Sequence, residues 1–173
     1  MSANYHKRER EAMEPELALQ RLMAMCSRKE TSEWEISKKL TAWKVDPTKQ
    51  TEVVGELIKH GFLNNRRFAH AYARDKARFN KWGPRKIEQG LAMQKIDPEI
   101  VKEVLLEVEN LQDDEFLLNL LKRKASTIRS ENKNEFKVKL LRFGLSRGFE
   151  YGHVMSAVAV IAKLSTDSQI ETP

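Results

Sequence analysis

The chain has 173 residues, 40% hydrophobic and 32% charged, and its 31 Lys and Arg against 25 Asp and Glu leave a net charge of +6. That is enough apolar material for a real but modest core, and the basic balance favours nucleic acid, a nucleoprotein or another acidic surface as partner. A single cysteine, Cys26, excludes an intrachain disulfide, and no apolar run approaches the ~20 residues of a membrane span, so a cytoplasmic setting without membrane contact is expected.

The N-terminal stretch MSANYHKREREAMEPE is charged and lacks an apolar signal segment. Residues 1–14 are expected to be a flexible segment. Beyond it, Leu19, Leu22, Met23 and Cys26 fall at i, i+3, i+4 and i+7, the stripe of an amphipathic helix. Ser32 and Glu35 form a capping-box pattern that predicts the next helix start. Asp46-Pro47 predicts another, with Asp as N-cap and Pro at the first helical position, where its missing N–H is not needed. Val54, Leu57, Ile58 and Gly61 supply its stripe.

Gly83-Pro84 opens a further helix, and Asp97-Pro98 repeats the Asp-Pro device 51 residues after the first. Val101, Val104, Leu105 and Val108 follow as its apolar face. Asp113, Asp114 and Glu115 read as first-turn charges at a helix N-terminus rather than a metal cluster. Glu150-Tyr151 stands where the third Asp-Pro would be, before the stripe Val154, Ala157, Val158 and Ile161. Residues 165–173 are expected to form a C-terminal tail. With seven glycines, five prolines and no clean apolar/polar alternation, the prediction is an all-α chain.

A three-residue signature recurs along it: Ile36/Val45/Leu57, Ile87/Ile96/Val108 and Leu140/Phe149/Ile161, spaced by 51 and then 53 residues. Such a period marks a helical unit that buries its apolar face against its neighbours. Three tandem three-helix repeats are expected, at 15–64, 65–110 and 111–164, stacked as an elongated array, straight or curved. Helices of ~10 to 14 residues would give an array of about 60 Å if the units do not fold back, offering a surface rather than a pocket.

Catalytic patterns are absent. The sequence has no GxxxxGK[ST] loop, no GxSxG elbow, no HExxH and no paired cysteines, and His6, His60, His70 and His153 are scattered without an i, i+4 partner. No catalytic, cofactor or metal residues are assigned.

Basic residues carry the functional signal. Between Asn65 and Lys95, nine cations (Arg66, Arg67, Arg74, Lys76, Arg78, Lys81, Arg85, Lys86, Lys95) against Asp75 and Glu88 give a local +7, more than the whole chain. Arg67, Arg74, Arg78, Lys81 and Arg85 recur at helical intervals, with Tyr72, Phe79 and Trp82 among them as candidate anchors. A second stretch, Lys122 to Arg147, again carries nine cations against two acids, for +7. Its candidate contacts are Lys122, Arg123, Lys124, Arg142 and Arg147.

The segment Gly61 to Ile87, GFLNNRRFAHAYARDKARFNKWGPRKI, resembles the middle repeat of the RecX family. The likeness rests on Gly61, Arg67, Phe68, Ala69, Tyr72, Gly83, Pro84 and Ile87, with support from Ser32, Glu35, Ile36 and Leu40 and from FGLSRGF at Phe143 to Phe149. It extends over roughly Leu17 to Leu164. Asn65 and Arg66 replace residues that are commonly acidic in the family; Asn65 is still expected to cap its helix. The resemblance implies a non-catalytic regulator that binds RecA filaments on single-stranded DNA and inhibits strand exchange, ATP hydrolysis and coprotease activity, with direct DNA contact allowed and a monomeric state expected. A stand-alone DNA-binding protein with helix-turn-helix-like units is the alternative reading.

Overall fold

The computed structural model describes residues 11–167. Among the described residues there are nine helices and no strand: α1 Pro15–Cys26, α2 Glu33–Ala42, α3 Pro47–Lys59, α4 Asn65–Arg78, α5 Pro84–Met93, α6 Pro98–Leu111, α7 Asp114–Ala125, α8 Lys133–Ser146 and α9 Tyr151–Asp167. Residues 1–10 of the expected N-terminal segment and 168–173 of the expected tail lie outside the described residues. Met13 is tied down: its N–H donates to the Trp43 carbonyl at 3.0 Å, and its side chain packs on the core beneath.

The helix starts follow local chemistry. The Asp46 and Asp97 carboxylates accept from the amides two residues on, Thr48 at 2.9 Å and Glu99 at 2.8 Å, with Pro47 and Pro98 in the first turn of α3 and α6. Ser32 Oγ accepts from the Glu35 amide at 3.1 Å, but only this half of the capping box forms among the described residues; the hydroxyl proton goes to Gln94 Oε1 at 2.7 Å. Asn65 does not cap α4. Asn64 does so, accepting from the Arg67 amide at 2.9 Å, while Asn65 Oδ1 accepts from the Glu33 amide at 3.0 Å and so satisfies an orphan donor at the start of α2. Asp114 and Glu115 stand in the first turn of α7 as expected, whereas Asp113 precedes the helix as its N-cap, accepting from Phe116 N–H at 2.8 Å.

Helix ends repeat as well. Lys44, Lys81 and Lys95 all adopt φ of 55°, and Gly148 has φ of 87°. At Lys44 and Gly148 the chain turns through paired backbone bonds, Lys44 N–H to Thr41 and Val45 N–H to Leu40, and Gly148 N–H to Leu145 and Phe149 N–H to Gly144. This is a Schellman-type stop with one left-handed residue. Lys44 and Lys95 are 51 residues apart and Gly148 a further 53, so the turn residue keeps the period of the signature.

All nine signature residues are buried, from 0% exposed at Ile36, Leu57, Ile87 and Leu140 to 5% at Ile96 and Phe149. Burial of each such side chain stabilises by roughly 1.5–3 kcal/mol before entropy is counted. The stripe predicted on α3 is rotated: Val53 and Leu57 are buried, whereas Ile58 is 46% exposed.

The chain divides into two compact units. One comprises the residues up to Phe68 together with Gln94–Ile96, the other Ala69–Met93 with Asp97 onward, so the divisions fall inside α4 and on either side of the α5–α6 turn. In the first unit, α3 packs on α1 and α2 around Ala18, Leu22, Ile36, Leu40, Val45, Val53, Leu57 and Leu63. In the second, α5 packs on α6, while α7, α8 and α9 enclose Leu117, Leu121, Leu140, Phe149, Val154 and Ile161. No helix among the described residues is long and apolar enough to cross a membrane.

Candidate nucleoprotein-binding surface

Of the cations singled out from sequence, several are engaged within the protein. Arg67, in the first unit, donates from Nε to Glu30 and from a terminal nitrogen to the Gly61 carbonyl at 3.1 Å, bracing the start of α4 against the α1–α2 loop. Arg66 is exposed on the same turn. In the second unit, Arg85 pairs with Glu150, the residue occupying the place of the missing third Asp-Pro.

Lys86 Nζ donates to the Ser146 carbonyl at 2.9 Å, and an Arg147 terminal nitrogen donates to the Asn80 carbonyl at 3.0 Å. These two bonds join the first turn of α5 and the α4–α5 turn to the end of α8. The two basic stretches therefore meet here, which sequence could not orient.

Aromatic rings organise the same region. Two ammonium groups lie over the Trp82 ring, Lys76 at 5.0 Å and Lys86 at 4.9 Å from its centre, and Lys76 is also 5.2 Å from Tyr72. Phe143 is flanked by Lys124 at 5.6 Å and Arg147 at 5.1 Å. Such contacts are worth ~0.5–1 kcal/mol each when exposed and hold cations at fixed positions. Tyr72 and Trp82 are half-buried, but Phe79 is 70% exposed, with the Arg78 guanidinium 5.5 Å away.

Arg74, Lys122, Arg123 and Arg142 are exposed and have no ion-pair partner among the described residues. They are available to a ligand at no cost in internal bonds.

Sequence reasoning missed a concavity. Arg74, Arg78 and Lys81 face Leu111, Gln112 and Phe116 across a groove of about 350 Å³ in the second unit, with Ala77 between. Gln112 is positioned by its Nε2, which donates to the Trp82 carbonyl at 2.9 Å. Leu111 was the available signal, an apolar residue lying past the buried stripe of α6. His70 is hydrogen-bonded rather than solvated: Nδ1 is 3.0 Å from Glu107 and Nε2 3.3 Å from Glu103. No group of three or more His, Cys, Asp or Glu among the described residues could hold a metal ion.

Comparison with known proteins agrees with the fold and the motifs. The model of the RecX second three-helix domain matches residues 64–105. The chain is 31% identical to the regulatory protein RecX of Mannheimia succiniciproducens over 134 residues, covering 77% of this chain and 86% of that protein. It is 27% identical to the Acinetobacter baylyi regulatory protein RecX over 78% of this chain and 82% of the relative. The Clostridium botulinum regulatory protein RecX is 25% identical, and there the chain spans 60% of the relative's length. The crystal structure of RecX from Lactobacillus salivarius superposes with a TM-score of 0.72 at 19% identity, over 87% of this chain and 97% of that one, a likeness of fold. With its three-helix periodicity, its motifs and a relative matched over most of both lengths, the chain belongs to the RecX family of regulatory proteins.

Proposed function

We propose that this protein is a non-catalytic modulator of the RecA recombinase, binding RecA filaments on single-stranded DNA and inhibiting strand exchange, ATP hydrolysis and coprotease activity. The observation that carries the reading is that the part of the first basic stretch from Arg74 to Lys86 meets the second stretch in one compact unit of a RecX-family chain. There Lys86 and Arg147 tie the surface together while Arg74, Lys122, Arg123 and Arg142 stay unpaired. Contacts centred on repeat 65–110, with 15–64 and 111–164 helping to bridge adjacent protomers, would accumulate affinity through avidity. The protein acts as a cytoplasmic monomer in this reading.

The test is a titration into RecA on single-stranded DNA with ATP hydrolysis as readout. Loss of hydrolysis well below one protein per recombinase supports filament regulation. Loss only at stoichiometric protein points to competition for DNA.

The exposed ring of Phe79 beside Arg78 favours a second reading, direct DNA binding. That reading requires tight, salt-steep affinity for naked DNA, with a log-log slope near about −7 on duplex DNA for eight phosphate contacts.

A further inference from the structure

We propose that the groove between α4 and the α6–α7 turn docks an acidic protein segment that inserts an apolar side chain. It rests on the filament reading only for which protein supplies the segment, and otherwise stands on the groove's own chemistry. Three cations, Arg74, Arg78 and Lys81, form one wall, the other is built on Leu111 and Phe116, and no carboxylate lines it. At about 350 Å³ it lies near the small end of the ~300–1,000 Å³ range of ligand pockets, room for a side chain rather than a folded element.

Leu111 is 64% exposed, although Val101, Val104 and Val108 of the same helix are all buried. An inserted apolar group continues that buried stripe over Leu111, the residue of α6 that lines the groove. Arg74 and Arg78, four residues apart on α4, project from one face, and each guanidinium can take a carboxylate through two parallel N–H bonds.

Nucleic acid fits this groove less well. A base needs a free aromatic face, and the ring that lines the groove, Phe116, already holds the Lys81 ammonium 5.5 Å from its centre and lies 6.3 Å from the Phe149 ring. With that ring engaged, the remaining chemistry is carboxylates on the rim and an aliphatic or aromatic side chain between the walls.

The probe is a fluorescent peptide of sequence Glu-Asp-Glu-Leu-Phe-Asp-Glu-Asp, titrated into the full chain by anisotropy and by amide NMR. Saturable binding with shifts at Ala77, Lys81, Leu111 and Phe116 is expected. Arg78→Glu and Leu111→Ala, both at exposed positions, should each weaken it about tenfold with unchanged helicity, and so should Ala-Ala in place of the peptide's Leu-Phe. Absence of binding, binding unaffected by either variant, or displacement of the peptide from these residues by a short oligothymidylate would each overturn the assignment. No recombinase is present in this measurement, so its failure removes the groove's occupant and leaves the filament reading to the ATP-hydrolysis titration.

Discussion

Gly83 and Gly148 meet backbone to backbone: a Cβ on Gly83 would stand 2.7 Å from the Gly148 carbonyl oxygen, and one on Gly148 would stand 2.4 Å from the Lys86 Cβ. Gly83 N–H donates to the Arg147 carbonyl at 2.7 Å, and the Arg85 amide, an orphan donor at the start of α5, donates to Gly148 at 3.1 Å. The KWGP and FGLSRGF motifs, 65 residues apart at these two glycines, are thus the two halves of one backbone junction. It fixes the α4–α5 turn that carries Lys81 and the first turn of α5 that carries Arg85 and Lys86.

Gly83→Ala should therefore lower stability by about 1–3 kcal/mol, and Gly148→Ala by more, because its φ of 87° adds strain to the clash. Gly55→Ala, inside α3 with nothing within 4 Å of the added carbon, should instead gain ~0.5–1 kcal/mol. Urea midpoints compare the three; an unchanged midpoint for Gly83→Ala would dismiss the junction as a stability determinant.

Lys44→Gly should stabilise by a few tenths to about 1 kcal/mol, since glycine relieves the left-handed turn at the end of α2 while adding some unfolded-state entropy. Lys95→Gly should gain less or lose. Its ammonium sits 3.7 Å from the Trp34 ring centre, and that contact disappears with the side chain. Thermal melts of both variants decide, and equal shifts would remove the Trp34 contact from the account.

Arg67 and the α4 pair Arg74 and Arg78 should separate stability from function. Arg67→Ala gives up the Glu30 pair and the Gly61 bond, a half-exposed brace, and should cost on the order of 1 kcal/mol with filament inhibition kept. Arg74→Glu with Arg78→Glu should leave the melt unchanged and weaken inhibition of RecA ATP hydrolysis at least about tenfold. Full inhibition by the double variant would count heavily against the proposed surface.

Acid should loosen the start of α3. The Asp46 carboxyl is held below its ordinary value of 3.8, first by the Thr48 hydroxyl and then by the Thr48 amide, both donating to the charged form. A depressed folded value means that its stabilisation is complete above 3.8 and lost as the pH falls through that lower value. Asp46→Asn keeps a capping oxygen without the proton. It should flatten this part of the acid-unfolding profile, while carbonyl NMR of the parent reports the Asp46 titration directly.

The helix starts at Pro47, Pro84 and Pro98 were legible because Asp-Pro and Gly-Pro act through atoms one to three residues away. The signature residues were legible because a repeat can bury its apolar face only against other repeated positions. The exact face of α3 was not, since Val53 and Val54 are equally apolar and packing alone chose Val53. Nor was the role of Asn65, whose side chain serves a helix start 32 residues earlier. The candidate cations were found as a class, but charge counting treats Arg67, bonded to Glu30, and Arg74, unpaired, alike.

By itself, the sequence determined an all-helical chain with a period near fifty residues, the helix starts at Pro47, Pro84 and Pro98 and its two basic stretches, because those features arise from local bonding and composition. Tertiary structure alone decided that Gly83 meets Gly148, that Lys86 and Arg147 knit the basic stretches together, and that Leu111 and Phe116 face Arg74 and Arg78 across a groove. Each of these depends on atoms more than thirty residues apart. Distances of that kind are set by packing, which no local pattern encodes.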